Sequence, residues 1–93
     1  MNRPDLEAVA KRVVWFKAPE DTLMDPNLFL AHVMTYGTLS DIATTLGYFS
    51  EADFESVLND PPPGIFDRRS WTYWNVRYHR EPIPDLPKRR FPR

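Results

Sequence analysis

The sequence predicts a small all-α single domain of four or five short helices, followed by an extended, proline-rich, basic C-terminal arm. Two observations carry that class. Short blocks of apolar residues recur at helical spacing, and each block is bounded by a capping residue, a glycine or a proline. A chain of 93 residues that is 42% hydrophobic and 14% aromatic supports one modest core, with no second domain and no cleft between domains. The expected division is a helical domain over 1–81 and an arm over 82–93.

Pro4, Asp5 and Glu7 open the first helix, where proline at the first position and acids in the first turn suit the helix dipole. Leu6, Val9, Ala10, Val13 and Phe16 form its apolar stripe, so the spacing predicts a helix over about residues 4–16. Val13-Val14-Trp15-Phe16 is also β-prone, which leaves the end of that helix open. Ala18-Pro19-Glu20-Asp21 reads as a break. Asp25-Pro26 is a cap followed by proline at the first helical position, and the second helix runs from Leu28 to Tyr36 before Gly37 stops it.

Thr38-Leu39-Ser40-Asp41 starts a third helix with Leu39, Ile42, Ala43 and Leu46 on its apolar side and Gly47 at its end. Ser50 and Asp53 imitate a capping box for a fourth, whose stripe is Phe54, Val57 and Leu58. Pro61-Pro62-Pro63-Gly64 ends it, because prolines donate no helix hydrogen bonds. Asp67 caps a fifth helix carrying Trp71, Trp74 and Tyr78 at i, i+3 and i+7. Beyond Glu81 the alternate prolines at 82, 84 and 87 preclude helix and favour an extended, polyproline-like backbone.

Charge divides the chain in two. Between Lys17 and Arg68 there is no lysine or arginine, while Glu20, Asp21, Asp25, Asp41, Glu51, Asp53, Glu55 and Asp60 make that stretch acidic. From Asp67 to Arg93 the balance reverses. Such a split speaks of partners rather than of fold, since an acidic and a basic face orient a complex or pair two copies head to tail. The absence of cysteine removes disulfides and thiolate zinc sites, and the N-terminal stretch has no apolar run of signal-peptide type. No apolar stretch approaches the roughly 18 residues a membrane span needs. The expectation is a cytoplasmic protein with no membrane partner.

The segment Ile42-Ala43-Thr44-Thr45-Leu46-Gly47-Tyr48-Phe49-Ser50-Glu51-Ala52-Asp53-Phe54 resembles the second helix-turn-helix of AraC-type transcription regulators. That resemblance implies DNA binding, but the position of the recognition helix holds Glu51, Asp53 and Glu55, and an acidic helix is repelled by phosphates. A second resemblance spans about residues 13–75. Trp15-Phe16-Lys17, Pro19-Glu20-Asp21, Asp25-Pro26, Phe29-Leu30-Ala31, Met34-Thr35-Tyr36-Gly37-Thr38, Ser50 to Phe54, Pro62-Pro63-Gly64-Ile65-Phe66-Asp67 and Arg69-Ser70-Trp71-Thr72-Tyr73-Trp74 are similar to the pattern of small bacterial proteins encoded beside nucleotidyltransferase-type toxins of the AbiE class. This resemblance implies an antitoxin-like protein whose partner is a cognate toxin, and it brings no catalytic or binding residues with it.

The residues themselves point to a partner-binding surface in the last third of the chain. Trp71, Tyr73, Trp74 and Tyr78 load one helix with more aromatic surface than one face of a small core absorbs; if Trp71, Trp74 and Tyr78 turn inward, Tyr73 and Arg77 are left outside. Tyrosine, tryptophan and arginine dominate interface hot spots. Lys88, Arg89, Arg90, Phe91 and Arg93 add a basic, aromatic cluster on the arm, suited to an acidic groove of a partner or to nucleic-acid phosphates. DNA contacted through the C-terminal arginines, and a homo-oligomeric scaffold joined through Trp71 and Trp74, stand as alternatives.

Catalytic chemistry finds little material. His32 and His79 are far apart, metal-ligand spacings of the His-Glu-x-x-His kind are missing, and three glycines form no phosphate loop. The expectation is a binding protein without enzyme activity and without a cofactor.

Overall fold

The computed structural model describes residues 3–86, and within them the chain forms six helices and no strand. They are α1 (Pro4–Val13), α2 (Pro19–Leu23), α3 (Pro26–Tyr36), α4 (Leu39–Leu46), α5 (Glu51–Asn59) and α6 (Arg68–Arg77). The all-α, single-domain expectation is met, with one helix beyond the number read from the sequence. That extra helix is α2, in the stretch read as a break. Pro19 at its first position and Glu20 and Asp21 in its first turn repeat the start chemistry of α1, and fully buried Thr22 returns its hydroxyl to Ala18 O at 3.2 Å.

α3 is the axle. Phe29, Leu30, Ala31, His32, Val33 and Met34 are all buried, and α1, α2, α4, α5 and α6 each pack against it. A helix apolar on every side is stable only when surrounded, and the short helices around it supply the cover. His32 belongs to this buried run, with Nδ1 2.9 Å from Leu28 O one turn back. Gly37 ends α3 with an extended backbone (φ −74°, ψ 152°), so its role is space rather than left-handed geometry: a Cβ there would lie 2.6 Å from Val33 O.

α1 stops three residues short of the expected end. Val14 leaves helical geometry (φ −129°, ψ 69°), and Val13 and Val14 both reach the core. The consequence falls on Phe16. Counted in the buried stripe, it is instead 62% exposed, beside Trp15 at 79%.

The proline corner turns at Gly64, whose φ of 76° is left-handed, and returns Ile65 and Phe66 to the core. α6 then crosses α3. Trp74 Nε1 donates to Met34 O at 2.8 Å, while its ring meets Phe54 on one side and stacks on Tyr78 on another, at 5.6 and 6.0 Å between centroids. Beyond α6, His79 N–H bonds Val76 O and Arg80 N–H bonds Asn75 O, closing a Schellman motif with His79 in the left-handed position (φ 57°). Residues 82–86, expected to leave as an arm, lie against the domain instead. Trp71 Nε1 donates to Pro84 O at 2.8 Å, and Ile83 and Leu86 pack on the core.

Candidate functional site

The two charge halves of the sequence pair with each other at the surface of the domain. Glu51 at the start of α5 accepts the Tyr78 hydroxyl at 2.6 Å and pairs with Arg77 at 3.3 Å; Glu55 pairs with Arg80 at 3.6 Å. The Tyr78 hydrogen bond, with Arg77 assisting, holds the Glu51 carboxyl below its ordinary value. Burial, then the same bond, pushes the Tyr78 phenol well above its ordinary value. Across the domain, Arg12 bonds buried Asp41, which also closes the capping box of α4 with Thr38. Burial alone would raise the Asp41 carboxyl, but the bonds from Arg12 and from Thr38 N–H prevail and lower it.

The acids of the helix-turn-helix-like segment therefore have internal duties. Glu51 and Glu55 hold the end of α6 and the turn after it, and the Asp53 carboxylate accepts the Ser50 N–H at 2.9 Å, closing the capping box in which Ser50 caps α5. α4 and α5 both pack on α3.

Of the partner-binding residues expected on the last helix, Trp71 and Trp74 are core residues, 4% and 1% exposed. Their indole N–H groups are already bonded to Pro84 O and Met34 O, so neither presents a face to a partner in this fold. The packing absorbs them because Phe54, Phe66 and Tyr78 surround their rings. Tyr73 and Arg77 are outside, as the helical spacing requires. Arg77 is partly engaged, with its guanidinium over the Trp74 ring at 5.2 Å and reaching the Tyr73 hydroxyl at 3.4 Å. Tyr73 keeps half its surface open. Lys88, Arg89, Arg90, Phe91 and Arg93 lie outside the described residues.

Tyr73 lines a groove of about 370 Å³ between α4 and α6. Met34 and Trp74 contribute from α3 and α6, Leu39 and Ile42 from α4, and Arg69 stands on the α6 side. Leu39, read as a member of the apolar side of its helix, is 81% exposed.

A second surface was missed in the sequence. Trp15, Phe16, His32 and Tyr36 form an aromatic chain of two T-shaped contacts and one tilted contact, with successive centroids 5.6, 6.2 and 5.9 Å apart. They line a cleft of about 470 Å³ together with Arg12 and Ile65. Tyr36, like Phe16, is 62% exposed. The signal was present: two neighbouring aromatics at a helix end cannot both point into one core, and Tyr36 adjoins the terminating glycine.

Among the described residues no helix is long and apolar enough to cross a membrane, and no group of three or more His, Cys, Asp or Glu side chains is placed to hold a metal ion. No protein family, curated protein or solved structure matches the chain.

Proposed function

We propose that the chain is a non-catalytic protein-binding module, the antitoxin-like partner that neutralises a nucleotidyltransferase-type toxin by steric masking. The observation that supports a binding role is the open aromatic cleft. Trp15, Phe16 and Tyr36 expose 79, 62 and 62% of their surfaces around one concavity. Large aromatics in one patch are costly to leave in water and are the residue types that anchor interfaces. The class of partner comes from the resemblance of residues 13–75 to proteins encoded beside such toxins. Tyr73 and the basic residues from Lys88 to Arg93 extend the masking surface.

A protein partner is favoured over DNA by the state of the arginines. Of Arg68, Arg69, Arg77 and Arg80, which a DNA-binding role of the basic third would call on, Arg77 and Arg80 are paired with Glu51 and Glu55. Phosphate binding needs several free cations along one track.

The test is co-expression of the full chain with the product of the adjacent gene, read by size-exclusion mass and by growth of the cells. A stable complex that restores growth, and that is lost on Trp15→Ser with Phe16→Ser while the helical circular dichroism is kept, is the expected result. Absence of both complex and rescue overturns the reading. Salt-sensitive DNA binding lost on removal of residues 87–93 would establish the regulator instead, and a mass that rises with concentration the homo-oligomer.

A further inference from the structure

We infer that the aromatic cleft takes a tyrosine side chain of the partner protein as its anchor, with the ring against Trp15, Phe16 and Tyr36 and the hydroxyl donated to Nε2 of His32. The inference rests on the reading of the chain as a protein-binding module and names the group that its cleft recognises.

The floor of the cleft offers one lone pair. His32 belongs to α3 and is 5% exposed, whereas Trp15, Phe16 and Tyr36 around it stand open to solvent. Its Nδ1 is 2.9 Å from Leu28 O. A carbonyl only accepts, so Nδ1 carries the proton of the neutral ring and Nε2 is left as an acceptor. Nε2 lies across the ring from that bond and has no hydrogen-bond partner among the described residues. The unbonded side-chain atoms sealed from solvent there are Asn75 Oδ1 and Arg80 Nε, so Nε2 is reached from outside, and the opening that His32 lines is the cleft. The Phe16 and Tyr36 rings adjoin the imidazole at 6.2 and 5.9 Å between centroids and help to hold its direction.

That acceptor selects the ligand by elimination. Carboxylates, phosphodiesters and main-chain carbonyls are acceptors themselves and leave Nε2 unmet. Ammonium and guanidinium groups donate, but the charged side chain lining the cleft is Arg12, whose counter-charge Asp41 is outside the lining. A second cation beside it is repelled. The remaining donors are neutral, and the exposed rings of Trp15, Phe16 and Tyr36 favour a flat apolar body. The apolar walls by themselves would take any hydrophobic side chain; the acceptor beneath them separates tyrosine from phenylalanine or leucine. A phenol carries its O–H at the tip of the ring and reaches a floor end-on, whereas an indole N–H lies on the ring's flank. Tyrosine is also enriched among the anchors that pair hot spot with hot spot across an interface.

The experiment titrates the full chain with side-chain analogues: para-cresol for tyrosine, toluene for phenylalanine, skatole for tryptophan and butylammonium for lysine. Binding is followed by amide chemical shifts and by the imidazole nitrogen resonances of His32. Para-cresol is expected to bind saturably, with shifts centred on residues 15, 16, 32, 36 and 65 and a displaced Nε2 resonance. Toluene should bind about threefold to tenfold more weakly, the range one neutral hydrogen bond gives. In His32→Asn the amide N–H replaces Nδ1–H towards Leu28 O but nothing replaces Nε2, so the two ligands should bind alike; unchanged circular dichroism checks the fold. Equal affinity of para-cresol and toluene for the parent chain, tighter binding of skatole or butylammonium, or an unmoved Nε2 resonance would overturn the inference, and none of these readings needs a variant. In the toxin complex the same resonance should move, and one that stays would remove a partner tyrosine as the source of the phenol. A complex lost on Trp15→Ser with Phe16→Ser, together with no preference for para-cresol over toluene, refutes the tyrosine anchor alone and leaves the proposed function standing.

Discussion

The indole N–H of Trp74 donates to the main-chain carbonyl of Met34 at 2.8 Å, joining α6 to the last turn of α3 across forty positions of sequence. The carbonyls of a helix's last turn have no partner within the helix, and this one lies in the core where water does not replace the indole. Trp74→Phe removes the donor and part of the ring. A loss of about 2–3 kcal/mol is expected, read as a lower midpoint at unchanged slope in urea unfolding.

Asp41 answers to α1 and α4 at once, through Arg12 and through the Thr38 capping box. Asp41→Ala should cost about 1–2 kcal/mol from the lost cap, and Arg12→Ala less, because the Arg12 side chain is 58% exposed. The folded carboxyl lies below the ordinary aspartate value of 3.8. Its contribution is therefore present above that value and is lost as pH falls through the lower, folded one. Asp41→Asn should flatten the acid limb of stability against pH between 2 and the neutral plateau, relative to the parent.

His79 occupies a left-handed position (φ 57°) that closes α6. Glycine adopts that geometry without a Cβ penalty. His79→Gly should raise stability by about 0.5–1 kcal/mol, whereas His79→Ala should not, since alanine keeps the Cβ. Denaturant midpoints of the two variants decide it.

Tyr78 is a half-buried phenol bonded to Glu51. Its folded pKa is raised from 10.0, first by burial and then by that bond, so the stabilisation is complete below pH 10 and declines as pH rises beyond it. Ultraviolet titration should show a late tyrosine that ionises only as the fold is lost and that disappears in Tyr78→Phe. A tyrosine at 78 that titrates in the folded chain at its ordinary value would contradict the buried contact.

Much of the helical skeleton was legible because its signals act within one turn. Asp25, Thr38, Ser50 and Asp67 were each readable as caps, and each side chain accepts the N–H three residues on. α2 was not legible: five residues carry too little periodicity to separate a helix from a break, and only the shelter of α1 and α3 gives this one its stability. The candidate surface was legible in part. Spacing placed Tyr73 and Arg77 outside, but whether Trp71 and Trp74 faced a partner or the core depended on Phe54 and Phe66 arriving from elsewhere in the chain.

What the amino-acid order determined by itself was an all-helical chain, where most of its helices begin, and which side of α6 is tryptophan-rich, since these follow from the dihedral and hydrogen-bonding preferences of neighbouring residues. The tertiary structure alone decided the rest. It joined the two charge halves at the surface as Glu51–Arg77 and Glu55–Arg80 pairs, pushed Trp15 and Phe16 outward, and set Leu39 opposite Tyr73. Those outcomes depend on how helices distant in sequence share the surface of α3, where packing, and no local preference, selects which side chains meet.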